Sequence, residues 1–322
     1  MNHDSRQHSR AVDRVLGVDV GGTRVKCAWF DAATGSKEGT KVFPTRDCAD
    51  VDGTPSFAED VRIQIGEIER ELGRPFTGIG IAAPGVVSAD RRKILCMPGR
   101  LAGLAGLDWG TLLQRDFAVP VVNDAHAALL GEAWQGAAKG LRYVVMLTLG
   151  TGVGGAILAD GRLLTGSSGR AGHLGHVSLE RRGPLDIVGT PGSLEDAIGE
   201  CTLARRSNGR FESTFQLITA VKAGDDGAVG LWLQSIDALA AAVASFINTL
   251  DPECIVIGGG IAQAGEPLFD PLRRRMDEIE WRPLGRGVPI IPAQLNDWGG
   301  AYGAAWSALT SKSRCQSLSA SQ

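Results

Sequence analysis

The chain has little with which to bind a polyanion or enter a membrane. Its 33 Lys and Arg stand against 36 Asp and Glu, a net charge of −3. No basic excess exists to neutralise phosphates along a duplex, so no nucleic-acid partner is expected. No stretch approaches the roughly 18–20 uninterrupted apolar residues of a membrane span, and no membrane partner is expected either. The first residues, MNHDSRQHSRAVDR, lack the apolar core of a signal peptide. Six cysteines (Cys27, Cys48, Cys96, Cys201, Cys254, Cys315) are scattered without CxxC pairs. Isolated thiols fit a reducing compartment, so the expected location is the cytoplasm.

Glycine, by contrast, is plentiful: 44 in 322 residues, collected at strand ends and turns. That length exceeds most single cores, which makes two domains the natural expectation. Val15 to Val20 reads as a short apolar strand ending in Gly21, Gly22 and Thr23. The next segment, Arg24 to Phe30, carries Val25, Cys27 and Trp29 on one face and reads as a second strand. A strand, a glycine turn and a strand make a hairpin. Dinucleotide-binding fingerprints and P-loops instead open a helix, so both are excluded.

The pattern recurs further on. Tyr143 to Leu149 leads into Gly150, Thr151, Gly152, Val153, Gly154 and Gly155, and Ala156 to Ala159 returns. Two such units suggest duplicated half-architectures. Between them lie an amphipathic helix over 57–73, a strand at Gly78 to Ala83, and a strand from Val119 to Val122 ending at Asn123 and Asp124. A helix over about 125–138 follows. Cys254 to Ile257 ends in Gly258, Gly259 and Gly260, and an Ala-rich segment from Gly299 to about Leu309 closes the ordered part. The whole reads as an α/β chain with two lobes.

Glycine turns expose backbone N–H groups with no side chain in the way, and such nests hold phosphate oxygens. One nest per lobe, facing a shared cleft, would grip a polyphosphate from both sides. Ordinary tight turns are the alternative. Asp19, just before the first nest, would repel phosphate unless a cation intervened, which suits Mg²⁺ or its waters. Asp124 stands where α/β ligands bind. It is either the N-cap of the helix it opens, worth about 1 kcal/mol, or the base for a transferred group. His173 and His176, three apart, resemble half a metal site, but no Cys stands near to complete zinc ligation. A polar pocket for vicinal hydroxyls is the better use. Glu195 is a second candidate there, with a surface carboxylate as its alternative.

Taken in order, Asp19-Val-Gly-Gly-Thr23, Asn123-Asp124-Ala125, Leu149-Gly-Thr-Gly-Val-Gly-Gly155, Gly175-His176 and Gly258-Gly-Gly260 resemble the ROK family, a group of repressors and sugar kinases. The resemblance spans about Val15 to Ala305. It implies an α/β, two-lobed actin/hexokinase-like (ribonuclease H-like) fold with its active site in the interlobe cleft. The small lobe would cover 14–119 and be completed by a helix at 299–310. The large lobe would cover 120–298, with flexible tails at 1–13 and 311–322. By the same resemblance ATP and Mg²⁺ bind between the lobes and a hexose, glucose-like, is the acceptor. Asp124 matches the catalytic base, Asp19 the carboxylate near the metal, and Gly258 to Gly260 the adenosine-side loop. His176 and Glu195 match sugar-binding positions, beside Asn123 and His173. Family members are commonly dimers, so a homodimer is expected. The repressor branch carries a helix-turn-helix ahead of the first strand, and only about 14 residues stand there.

Several positions depart from the family pattern. His173 stands where many members have Glu, and His126 where an Asn often follows. The zinc loop C-x-C-G-x-x-G-C-x-E reads here Asp186, Ile187, Val188, Gly189, Thr190, Pro191, Gly192, Ser193, Leu194, Glu195. Its glycines and final glutamate survive without a cysteine, so no zinc site is expected. These changes cluster on the acceptor side and leave other readings open. One is a non-catalytic sugar or nucleotide sensor. Others are a kinase for an amino sugar or cyclitol, or one using polyphosphate.

Overall fold

Alternation of apolar residues in the first segments builds an antiparallel meander of β1 (Arg14–Val20), β2 (Arg24–Asp31) and β3 (Lys37–Pro44). The helix α1 (Ser56–Leu72) then crosses over, and β4 (Gly78–Ala83) returns parallel to β1. The short strands β5 (Val86–Val87) and β6 (Ile94–Cys96) and the single turn α2 (Trp109–Leu112) precede β7 (Val121–Asn123), which pairs parallel with β4. The first sheet therefore runs β3-β2-β1-β4-β7. The lobe boundary expected at 119/120 falls just before β7. Val121 and Val122 pair with Ile81 and Ala82 and bury on that sheet, so β7 belongs with the segment before it. The computed structural model describes residues 13–48, 53–97 and 99–319, without the side chains of 312–319. Of the tails expected at 1–13 and 311–322, residues 1–12 and 320–322 lie outside the described residues.

The helix α3 (Asp124–Gln135) leads to a second meander, β8 (Val144–Leu149), β9 (Val153–Ala159) and β10 (Arg162–Leu163). Four helices follow: α4 (Leu194–Ile198), α5 (Leu203–Arg206), α6 (Thr214–Lys222) and α7 (Asp226–Leu250). Then β11 (Cys254–Gly258) lies parallel to β8, and α8 (Glu266–Ile279) connects it to β12 (Ile290–Pro292), parallel to β11. The second sheet, β10-β9-β8-β11-β12, repeats the order and directions of the first. The duplication suggested by the two glycine hairpins is thus a duplication of whole sheets.

Each sheet is covered on both faces. Leu16, Val18 and Val20 of β1 pack with Phe57, Val61 and Ile65 of α1, while Val15 and Phe30 face the terminal helix α9 (Gly299–Ser319). Val145, Leu147, Ile255 and Ile257 of the second sheet pack on α7, and Val144, Met146 and Val256 cluster with Leu129 of α3. α7 is apolar and long enough to cross a membrane by length and composition, a mean hydropathy of 1.5 over its best window. Trp232, Ile236, Leu239 and Val243 bury it in the second core, which accounts for that hydropathy.

α3 and α9 lie together between the sheets, and small residues set their approach. Gly17 and Gly80 are register partners on β1 and β4, and a Cβ on either would overlap a backbone carbonyl of α9, Ala301 or Ala304. Gly303 meets the Ala127 carbonyl of α3 in the same way. Helix backbone therefore rests directly on sheet and on helix. α9 also runs past residue 310, where the sequence reading ended it: no Gly or Pro interrupts 311–319, so the backbone ladder continues to Ser319.

Candidate functional site

The carboxyl ends of β4, β7, β8 and β11 meet at one cleft of about 870 Å³, the place where α/β sheets bind ligands. Asn123 closes β7 and caps α3. Its Oδ1 accepts the N–H groups of Ala125 and His126 at 3.1 and 3.2 Å, and its Nδ2 donates to the Gly85 carbonyl at 3.1 Å. The N-cap is thus Asn123, one position earlier than the alternative considered for Asp124. Asp124 occupies the first turn instead, with its side chain exposed in the cleft and Oδ1 accepting the Ala125 N–H at 2.9 Å. Desolvation by the surrounding walls holds its carboxyl above the usual range, against lowering by the Ala125 N–H and by His173.

Asp19, next to last in β1, lies opposite Lys26 of β2. Its carboxyl is pushed up to about 7, first by burial, then by the charge of Asp124, with Lys26 lowering and Asp297 raising it. The Lys26 ammonium is shared: it donates to the Asp297 carbonyl at 2.9 Å and lies 3.5 Å from that residue's carboxylate. Gly300 at the start of α9 has no Cβ, and one there would sit 2.7 Å from the Asp19 carboxylate. The Asp124 charge reaches Asp19 and raises it, and Lys26 compensates only in part. Carboxylate oxygens are the donor chemistry of a hard cation.

The two turns differ. Gly21 donates its N–H to the Arg24 carbonyl at 3.1 Å, and Gly150 donates to that of Gly152 at 2.9 Å, so both first glycines are spent on closing their hairpins. Gly154 and Gly155 belong to β9, not to the turn, and Gly154 is required by packing, since a Cβ would overlap Thr148 Oγ1. Gly150, Thr151, Gly152 and Gly154 line the cleft, as does Gly259, whose φ of +88° lets it lie on the Leu149 backbone. Asp19, Gly21, Gly22, Thr23, Gly258 and Gly260 do not line it.

Opposite Asp124 stand the histidines. His173 Nδ1 is 3.1 Å from the Arg170 carbonyl, and its Nε2 is buried without a partner. Its ring meets that of His126 edge-on at 5.8 Å. His126 Nε2 contacts the Ala171 carbonyl at 3.0 Å. Burial, then the neighbouring His173, pushes His126 down to about 4, so it is a neutral structural group. His176 Nδ1 pairs with Asp186 Oδ2 at 2.8 Å, and Glu195 Oε2 accepts the Val153 N–H at 2.9 Å. Burial acts to raise the Asp186 carboxyl, but hydrogen bonds from His176, Thr190, Ser193 and Val188 outweigh it and hold it low.

The structure therefore brings Asn123, Asp124, His173, His176 and Glu195 into the lining of one cleft, together with Gly150, Thr151 and Gly152 of the second glycine turn. Sequence reasoning missed Arg170, Thr190 and Asp186. The signal for Asp186 was present, a lone carboxylate ten residues after His176 in a loop rich in glycine.

A model of the ROK family matches residues 15–311. A glucokinase of Thermotoga maritima is 33% identical over 319 residues, covering 91% of this chain and 96% of that protein. Among solved structures, a ROK hexokinase from Thermus thermophilus superposes with a TM-score of 0.78 at 30% identity, covering 94% of this chain and 99% of the other. A ROK family glucokinase from Streptomyces griseus, in complex with glucose and AMPPNP, gives 0.74 at 26% identity over 92% and 99% of the two chains.

Proposed function

Since this chain belongs to the ROK family and is a sugar kinase of actin/hexokinase-like fold, we propose that it phosphorylates a hexose hydroxyl from ATP with Asp124 as general base. One observation carries this reading. Asn123 performs the capping of α3, which leaves the Asp124 carboxylate exposed in the cleft beside Gly150 to Gly152. A carboxylate there orients the attacking hydroxyl and takes its proton late in the transfer, while positioning does most of the rest.

The chain's own groups suit the remaining duties. The N–H groups of Thr151 and Gly152, not engaged in closing their turn, are available to phosphate oxygens. Asp19, with its raised carboxyl and only partial compensation from Lys26, fits a Mg²⁺ ion or its waters. Bound Mg²⁺ would neutralise charge developing on the phosphates. His176, His173 and Glu195 would hold the sugar through its hydroxyls. The first glycine turn joins the donor site only if the cleft narrows when ligands bind.

A second acceptor class is favoured by a specific feature. Ile187 and Val188 line the cleft and stay exposed, 67% and 52%. Such apolar side chains would suit the methyl group of an N-acetylated hexosamine.

Release of ADP across a panel of hexoses, N-acetylhexosamines and cyclitols tests the reading, with Asp124→Asn as control. Turnover on a neutral sugar that falls about 10²–10⁴-fold in the variant is the expected result. Tight sugar binding without turnover, or full activity in the variant, would sink it. Replacing ATP by polyphosphate in the same assay decides the donor.

A further inference from the structure

Asp186 has no part in the transfer just described, yet it is built into the cleft wall with unusual completeness. Its side chain is 1% exposed. One oxygen, Oδ1, accepts the N–H groups of Val188 and Thr190 at 3.0 and 2.8 Å, which folds the loop back on itself. The other, Oδ2, meets His176 Nδ1 at 2.8 Å. His176, Ile187, Val188 and Thr190 all line the cleft. A single carboxylate thus joins a cleft histidine to the loop that forms the wall beside it.

An ionised carboxylate only accepts hydrogen bonds, so His176 Nδ1 must carry the proton between them. In the neutral ring Nε2 is then left with its lone pair, an acceptor. His176, Asp186 and Glu195 offer ligand atoms within 4.8 Å of one another, which could also suit a cation. The 2.8 Å separation of Nδ1 from Oδ2 is that of a direct hydrogen bond and leaves no place for an ion between those two atoms.

We propose that Asp186 is a positioning residue for acceptor recognition: it fixes His176 as an Nδ1–H tautomer, so that Nε2 accepts from a substrate hydroxyl, and pins the Ile187–Thr190 wall by the same carboxylate. The identity of the hydroxyl donor rests on the sugar-kinase reading, while the tautomer does not. Two variants separate the two duties. In Asp186→Asn the amide oxygen can still accept from the loop, but its NH₂ donates to His176 Nδ1 and moves the ring proton to Nε2. Asp186→Ala removes both duties.

The experiment uses the full chain with ¹⁵N-labelled histidine, assigned through His176→Gln, together with sugar affinity by calorimetry or KM. The wild type should show Nε2 as the unprotonated nitrogen, and Asp186→Asn should show it protonated. Sugar affinity should fall about tenfold, because the hydroxyl that donated to Nε2 must turn to accept from it and its own proton loses that partner. Nucleotide affinity and melting temperature should hold in Asp186→Asn, and the melting temperature should fall in Asp186→Ala. The proposal is overturned by a wild-type His176 already protonated at Nε2, or by unchanged sugar affinity once the tautomer has moved. It is equally overturned by a stoichiometric divalent metal that purifies with the wild type and is lost in Asp186→Asn. Absence of turnover on every sugar would count against the kinase reading instead, leaving the tautomer and binding measurements to decide this one.

Discussion

Glu195 lies directly on Gly152: its carboxylate accepts the Val153 N–H at 2.9 Å, and a Cβ on residue 152 would overlap that same carboxylate oxygen. The turn assigned to phosphate and the carboxylate assigned to the sugar are therefore one packed unit. Gly152→Ala should push Glu195 off Val153 and raise the sugar KM about tenfold. Steady-state kinetics with both substrates varied will show whether the sugar side moves more than the nucleotide side. An unchanged sugar KM would mean that Glu195 does not depend on this contact.

Asp19 should cost stability at neutral pH. Its carboxyl is raised from 3.8 to about 7 in the folded chain, chiefly by burial. The folded state therefore holds its proton more tightly than the unfolded one, and stability is lost as pH climbs through that window. Asp19→Asn removes the ionisation, so the ligand-free variant should lose less melting temperature than the wild type between pH 5 and about 8. Its kcat should fall at least ~100-fold if Asp19 serves the metal. Parallel melting curves across that range would refute the first statement, whatever the kinetics show.

His126 has the opposite sign of effect, at the acid end. Burial, and then His173, depress it from 6.5 to about 4, so the folded state prefers the neutral ring. The stability it contributes is complete above about pH 6.5 and is lost as pH falls toward 4. His126→Gln keeps a donor in place of the Nε2 that meets Ala171 and removes the titration. Relative to wild type, its melting temperature should decline less between pH 7 and 4.5. Equal declines would place the acid sensitivity elsewhere.

Gly80 is a sharper test of the architecture than any large core residue. A Cβ there meets the Ala304 carbonyl, a backbone group that cannot rotate away. Gly80→Ala should destabilise the chain by roughly 1–3 kcal/mol through overpacking, although alanine is better suited to a strand than glycine. Urea denaturation measures this directly, and a neutral result would show that α9 can shift to make room.

The two hairpins were legible because a strand after each glycine turn leaves a period-two pattern, with Val25, Cys27 and Trp29 on one face. The strand Gly78–Ala83 was legible to its ends, since Pro84 and Gly85 stop it. The sheet to which Val121–Asn123 belongs was not, because parallel pairing across an intervening helix leaves no local mark. Asp124 was placed correctly at the head of its helix, but whether it or Asn123 did the capping is a matter of χ angles that residue types alone leave open. Gly154 looked like turn and proved to be strand, for its absent Cβ answers to Thr148 and Ala125. Asp186 stood in plain view as one carboxylate in a loop. Its importance depends on how that loop closes on His176, a long-range fact in the sense that no spacing rule encodes it.

The seating of α9 on Gly17 and Gly80 sets an order of events during synthesis. β1 and β2 leave the ribosome early, yet Val15, Ala28 and Phe30 cluster with Ala301, Ala305 and Ala308 of α9, joined by Trp134 of α3 against Phe30. Until translation reaches that helix, one face of the first sheet has only the edge of α3 to lie against, while the second sheet can already close over α7. The half made first is thus the half finished last, and a ribosome stalled before α9 holds a chain with an open, apolar face ready for a chaperone.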